Sequence, residues 1–178
     1  MSITILDRLS LFVRDMRPAD IPSDVKNKAK LRIIDLLAAQ GIGMRSRVDN
    51  PLLNFACVQS AQKATILFSG QSATPSHAAA CNSYMASSSG MEDGSRFAGA
   101  HPSSSIIPPA LAAAQQTGAS GDVLLAGIIL AYDVHLRIGY ALYPYDLKRG
   151  FHASAILAPL GSAVAAGRLL DLDASALR

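Results

Sequence analysis

Apolar residues near the start of the chain recur at intervals of three and four. Residues 3–16 carry Ile5, Leu6, Leu9, Phe12, Val13 and Met16, the stripe of an amphipathic helix. "RPADIPSD" interrupts that stripe with two prolines and offers Ser23 as the cap of a second helix. The stripe resumes over 25–40 as Val25, Ala29, Ile33, Leu36 and Leu37, with Lys and Arg on the opposite face. Gly41 and Gly43 predict its end. "DNPLLNFACVQSA" predicts a short helix with Asn50 as cap and Pro51 at its first position. "KATILFSG" is the one strand-like run, about four residues long.

Beyond it the pattern is helical again. "TPSHAAACNSYMASSSG" predicts a helix from Pro75 whose small residues favour close backbone packing. Residues 105–117 predict another, closed by Gly118, with Ser103, Ser104 and Ser105 as its caps. Ser120 and Asp122 open a helix over about 121–141 that is apolar nearly all round and therefore buried. "LYPYDLKRGF" predicts a loop, and 152–170 an Ala/Gly/Ser-rich helix. Asp173 would cap one further turn over 174–178, too short to stand alone in water. The expected fold class is all-α, one helical bundle over 1–178, with no internal repeat.

Half of the 178 residues are hydrophobic and 16% are charged. About a quarter charged is usual, so apolar surface is expected to be covered by another chain, another domain or a like subunit. The net charge of +3 is scattered and not interleaved with aromatics, which argues against nucleic acid. Charges at Asp7, Arg8, Arg14 and Asp15 break any signal-peptide core. "VLLAGIILAY" is too short for a bilayer span. The expectation is a cytoplasmic protein with no membrane partner. Cys57 and Cys81 read as buried structural thiols. No Cys/His spacing resembles a metal site, and no phosphate-binding or nucleophile-elbow motif occurs.

Candidate chemistry concentrates in "GMEDGSRFAGAHPSSS", residues 90–105. Glu92 and Asp93 in a Gly-containing loop suit a general base or a substrate-orienting group, and equally a solvated turn. His101, held extended by Pro102, suits acid–base work near neutral pH. His152 follows two cations at a helix start, where it serves either as a cap or as a proton carrier. Tyr140, Tyr143 and Tyr145 line the loop before it and suit hydrogen bonding to substrate or cover of a core. His77 and His135, on helices of small or apolar residues, read as structural.

The order of pieces resembles the MmgE/PrpD family: acidic Gly loop, "HP", Pro-Ala helix, "SG" helix start, "AYDVHLRIG", "GFH", "AAGRLLDLD". "KAKLRIIDLLAAQGIG" and "AAACNSYMA" look like that family's early helices, so the resemblance covers essentially the whole chain. It implies an all-α domain built from N- and C-terminal parts, with a smaller α/β domain. It also implies a dimer without metal or organic cofactor, acting on small di- or tricarboxylates in the manner of 2-methylcitrate dehydratase, cis-aconitate decarboxylase or iminodisuccinate epimerase. Carried over residue by residue, it implies catalytic Asp93, His101 and His152, with Glu92, Ser95 and Arg96 contacting substrate. The family's further acid two or three positions before Asp93 is replaced by Gly90 and Met91. Members are about two and a half times as long. The chain is therefore expected to be the N-terminal portion of the helical domain, without the α/β lid. It would be completed by a second polypeptide, a C-terminal region or a homodimer partner. A non-catalytic all-α interaction or dimerisation protein derived from the family is the alternative.

Overall fold

The computed structural model describes residues 3–46 and 64–178. The helix expected from Pro51, and Cys57 within it, lie outside the described residues. Those described form seven α-helices and one two-stranded hairpin, an all-α domain. The helices are α1 (Ile5–Asp15), α2 (Ser23–Ser46), α3 (Pro75–Ser89), α4 (Ser103–Thr117), α5 (Gly121–Leu142), α6 (Tyr145–Lys148) and α7 (Ala153–Leu169). Strands β1 (Ala64–Ile66) and β2 (Gln71–Ala73) pair antiparallel between α2 and α3.

Most helix ends follow local chemistry. Thr4 and Asp7 cap α1 reciprocally: the Thr4 hydroxyl accepts the Asp7 N–H, and the Asp7 carboxylate accepts the Thr4 N–H. Thr74 caps α3 and Ser120 caps α5, while Gly90 and Gly118 close α3 and α4 in the left-handed conformation. His152 caps α7.

Other ends differ from the sequence expectation. Helix α2 starts at Ser23 itself and runs through Gly41 and Gly43 to Ser46. Gly43 is there for packing rather than termination: a methyl group at this position would run into the Met85 carbonyl of α3. The predicted strand is paired with a second one, β2, that sequence reading missed. The expected loop before His152 contains α6. Residues 174–178 form turns rather than a helix, although Asp173 does accept the Ser175 and Ala176 N–H groups.

The largest core cluster joins Leu36 of α2, Ile106, Ile107 and Ala110 of α4, Ile128 and Ala131 of α5, and Ala165 and Leu169 of α7. Helix α5 is long and apolar enough to cross a bilayer, but half of its most apolar window is buried inside this bundle. It packs chiefly along α7, with α2 and α4 beside it. Pro108 and Pro109 sit inside α4 and leave upstream carbonyls without their helical partners. The Ser105 carbonyl is satisfied instead by the Ser162 hydroxyl of α7, at 2.7 Å. The hairpin rests on α3 through Ile66, Ala73, Cys81 and Met85. Buried Asn82 bonds both sides of β1, donating to the Thr65 carbonyl and accepting the Leu67 N–H.

Candidate functional site

The polar loop between α3 and α4 is clamped onto the bundle by its own small residues. Ala98 and Ala100 are buried against Ala153 and Leu157 of α7, with Leu136 and Ile138 of α5 alongside. Two glycines allow that approach. A Cβ on Gly139 of α5 would stand 2.5 Å from that of Ala98. Gly99 adopts φ +60° with the Tyr143 ring stacked against it. Ser95 and Ala100 exchange both backbone hydrogen bonds and close the loop on itself.

Asp93 lies under this loop. Its carboxylate, 5% exposed, accepts the Ser103 N–H at 2.9 Å and the Tyr132 hydroxyl at 3.0 Å. The Arg32 guanidinium of α2 stands 3.8 Å away. Asp93 thus supplies the N-terminal anion of α4. Pro102 occupies the cap position without a capping side chain, and the expected serine caps do not form. Ser104 and Ser105 donate to preceding carbonyls, while the Ser103 hydroxyl is buried without a hydrogen-bond partner. Burial, then the Asp93 charge, pushes the Tyr132 hydroxyl's ionisation well above its ordinary value.

The Asp93 carbonyl has a separate task. It accepts a hydrogen bond from Nδ1 of His101 at 2.9 Å. A carbonyl can only accept, so Nδ1 carries the proton and Nε2 keeps its lone pair in the neutral ring. The imidazole is exposed and lies beside Gly94. His152 has the opposite arrangement. Its Nδ1 accepts the Ala155 N–H at 3.3 Å, so Nε2 bears the hydrogen in the neutral ring. The His101 main-chain N–H donates to the Ser154 hydroxyl at 3.0 Å, which fixes the loop to the start of α7 two residues beyond His152.

The remaining candidates divide. Ser95 is half-buried, and its hydroxyl accepts the Ala98 N–H. Arg96 is exposed and forms no hydrogen bond or ion pair among the described residues. Both line a groove of about 1050 Å³ between α2, the loop and α5, with Asp93, Arg32 and Tyr132 on the same wall. Glu92 is half-buried, with one carboxylate oxygen lacking a hydrogen-bond partner, and it does not line that groove. Of the tyrosines, Tyr140 and Tyr145 are exposed and Tyr143 packs on Gly99. His77 bonds the Thr74 hydroxyl. His135 is fully buried with neither ring nitrogen hydrogen-bonded, and burial pushes its ionisation down. Among the described residues, no cluster of three or more His, Cys, Asp or Glu side chains is arranged to hold a metal ion.

Sequence reading gave no site role to Tyr132, Arg32 or Ser154 and took Ser103 only as a helix cap. "AYDVHLRIG" and "KAKLRIIDLLAAQGIG", quoted whole as markers, contain Tyr132 and Arg32.

The model of the MmgE/PrpD N-terminal domain matches residues 7–178. The chain belongs to the MmgE/PrpD family. Among relatives it is similar to "Cis-aconitate decarboxylase" of Aspergillus terreus, 30% identical over 164 residues, covering 86% of this chain and 33% of that protein. It is 25% identical over 178 residues to "Cis-aconitate decarboxylase-like protein oryM" of Aspergillus oryzae, covering 91% and 36%. To "Cis-aconitate decarboxylase" of Homo sapiens it is 22% identical over 183 residues, covering 98% and 38%. The chain spans about a third of the length of these curated relatives.

Proposed function

We propose that this chain carries the proton-transfer half of a cofactor-independent lyase or isomerase site for a small di- or tricarboxylate, in a cytoplasmic enzyme. The observation that carries the reading is the pair of opposed imidazoles. His101 presents a lone pair at Nε2 and His152 presents an N–H at Nε2. For dehydration or epimerisation that suits removal of a proton at a carbon beside a carboxylate by His101; in a decarboxylation the breaking C–CO2 bond supplies the electron pair and only the donor is needed. His152 then donates to the leaving group or to the carbon that must be reprotonated. Asp93, enclosed by its donors, acts through its carbonyl as the residue that orients His101, and Ser95 and Arg96 face substrate. The family membership and the cis-aconitate decarboxylase names of its relatives support decarboxylation or dehydration over an unrelated chemistry. A further polypeptide region, in the same chain or in a second one, supplies cationic groups for the carboxylates and the closure that excludes water.

The test is turnover by the untagged protein purified from its own source, with whatever polypeptide accompanies it in fixed ratio. Cis-aconitate and 2-methylcitrate are the first substrates, followed by CO2 release and by absorbance of the unsaturated product. His101→Gln should lower kcat by at least about 100-fold. It should leave the unfolding midpoint unchanged, because the ring is exposed. A protein that runs alone and turns over no carboxylate would leave the alternative, a non-catalytic helical association module. The exchange of the family's acid for Gly90 and Met91 already favours that alternative.

A further inference from the structure

The groove between α2 and α5 is larger and greasier than a bare di- or tricarboxylate needs. Its volume of about 1050 Å³ matches the upper end of pockets that enclose drug-sized ligands, about 300–1,000 Å³. Ala29 and Ile128 are buried along it, and Ile129 and Leu136 line it further. Leu31 and Phe97 also line it and stand 65% and 75% exposed, large apolar side chains left mostly to water. Three cations share the same walls. Lys28 and Arg32 lie one turn apart on one face of α2, and Arg96 comes from the loop. Against them stand Asp35 and Asp93, and the Asp93 carboxylate already accepts the Tyr132 hydroxyl and the Ser103 N–H. At 3.8 Å from Asp93, Arg32 is beyond hydrogen-bond reach and is half exposed. Its fork is open to a ligand.

We propose that this groove is a subsite for a carboxylate carrying an apolar arm. Arg32 and Lys28 hold a carboxylate, and the α5 wall takes an alkyl or alkenyl chain of several carbons. The inference deepens the carboxylate reading above and rests on it for the location of the reacting carbon. Gly94, which lines the groove and backs onto the His101 ring, joins the two places. The substrate would then be an alkyl-substituted carboxylate rather than a compact one; Arg32 would hold its carboxylate and Ile129 would set the preference for the arm.

The experiment is an NMR titration of the ¹⁵N-labelled chain with succinate, butylsuccinate and octylsuccinate, with 1-octanol as the uncharged control. Shifts should map to α2, the loop and α5. Butylsuccinate should bind at least about ten-fold more tightly than succinate, since each buried methylene is worth up to about four-fold. Arg32→Gln should weaken every succinate by about ten-fold, as expected for a lost charge-assisted hydrogen bond. Ile129→Asn should remove the gain with chain length and leave succinate binding unchanged. Circular dichroism checks that both variants stay folded. Binding independent of chain length, shifts elsewhere on the chain, or octanol binding as tightly as octylsuccinate would each overturn the proposal. A groove that binds as described in a protein with no turnover leaves this inference standing and removes the catalytic one. Turnover that ignores Arg32→Gln and Ile129→Asn does the reverse.

Discussion

Replacing Asp93 by Ala tests whether its carboxylate holds the loop in place. In the folded chain that group accepts two hydrogen bonds, from the Ser103 N–H and the Tyr132 hydroxyl, while nearly all of it is shielded from water. A hydrogen bond to a charged partner contributes about 1.5–3 kcal/mol, and leaving its buried donor unpaired costs more than losing the contact alone. Arg32 adds little, being half exposed and 3.8 Å distant. The expected loss on Asp93→Ala is about 3–5 kcal/mol, a large part of the stability of an ordinary domain. Asp93→Asn keeps an acceptor for Ser103 and an amide for the tyrosine oxygen, so it should cost roughly 1–2 kcal/mol. Tyr132→Phe should cost about 1.5–3 kcal/mol. The double variant Asp93→Ala/Tyr132→Phe should show a coupling of similar size, since both changes remove one bond. The assay is urea unfolding followed by circular dichroism, with all four species at one pH. A coupling below about 0.5 kcal/mol, within the range for independent sites, would refute the pairing. Asparagine as costly as alanine would refute the claim that geometry rather than charge is the main term. The same pair predicts an alkaline limb. Tyr132 stays protonated in the folded chain to higher pH than in the unfolded one. Stability present below about pH 10 is therefore lost as pH rises above it, and Tyr132→Phe should flatten that limb.

Three further outcomes follow from the packing. Gly43→Ala should lower the melting temperature by several degrees despite alanine's better helix propensity, because its methyl group meets the Met85 carbonyl rather than a flexible side chain; thermal unfolding by circular dichroism reads it. Ser162→Ala should cost about 1–2 kcal/mol in urea unfolding, since Pro109 leaves the Ser105 carbonyl dependent on that hydroxyl. His135 is kept neutral in the fold by burial, with the Asp93 charge pulling weakly the other way. Its folded ionisation lies below the unfolded value of about 6.5, so stability is full above that pH. It falls by up to about 1.4 kcal/mol per unit as pH drops towards the folded value. His135→Leu should remove that slope between pH 7.5 and 5.5, and an unchanged slope would refute it.

The helices were legible where the determining interactions are local. Ser120 and Gly118 cap or close their helices through partners within four residues, so the sequence alone places those ends. Gly43 was misread because glycine has two uses that look identical in a sequence. It ends helices by adopting positive φ, and it admits a neighbouring backbone by lacking a Cβ. Which use applies depends on Met85, forty-two residues away, and nothing near Gly43 encodes that contact. Strand β2 was missed for a similar reason. "QSA" has no alternation to detect, and its strand character comes from pairing with β1. The greasy composition, by contrast, carried through directly. Leu31, Ile34, Phe97, Tyr145, Leu147 and Phe151 are all more than half exposed.

The site shows the same division more sharply. The sequence marks the residues able to do acid–base work: Asp93 and His101 lie on the docked loop, and His152 caps the helix to which Ser154 fixes that loop. It cannot mark which atom of each is used. Asp93 looks like a candidate base because acids in glycine loops often are. Here its carboxylate is enclosed by donors from α4 and α5, and only its carbonyl addresses His101. The partner that changes its role is Tyr132, thirty-nine residues on, in a helix whose pattern reads simply as buried. Tautomers are still further from the sequence. His101 and His152 are chemically the same residue, yet one ring nitrogen meets a carbonyl and the other a helix N–H. In the neutral rings, one therefore keeps a lone pair at Nε2 and the other a hydrogen. Two helix starts, α4 and α7, are joined through the Ser154 hydroxyl, a contact fifty-three residues apart in the chain that no local pattern encodes.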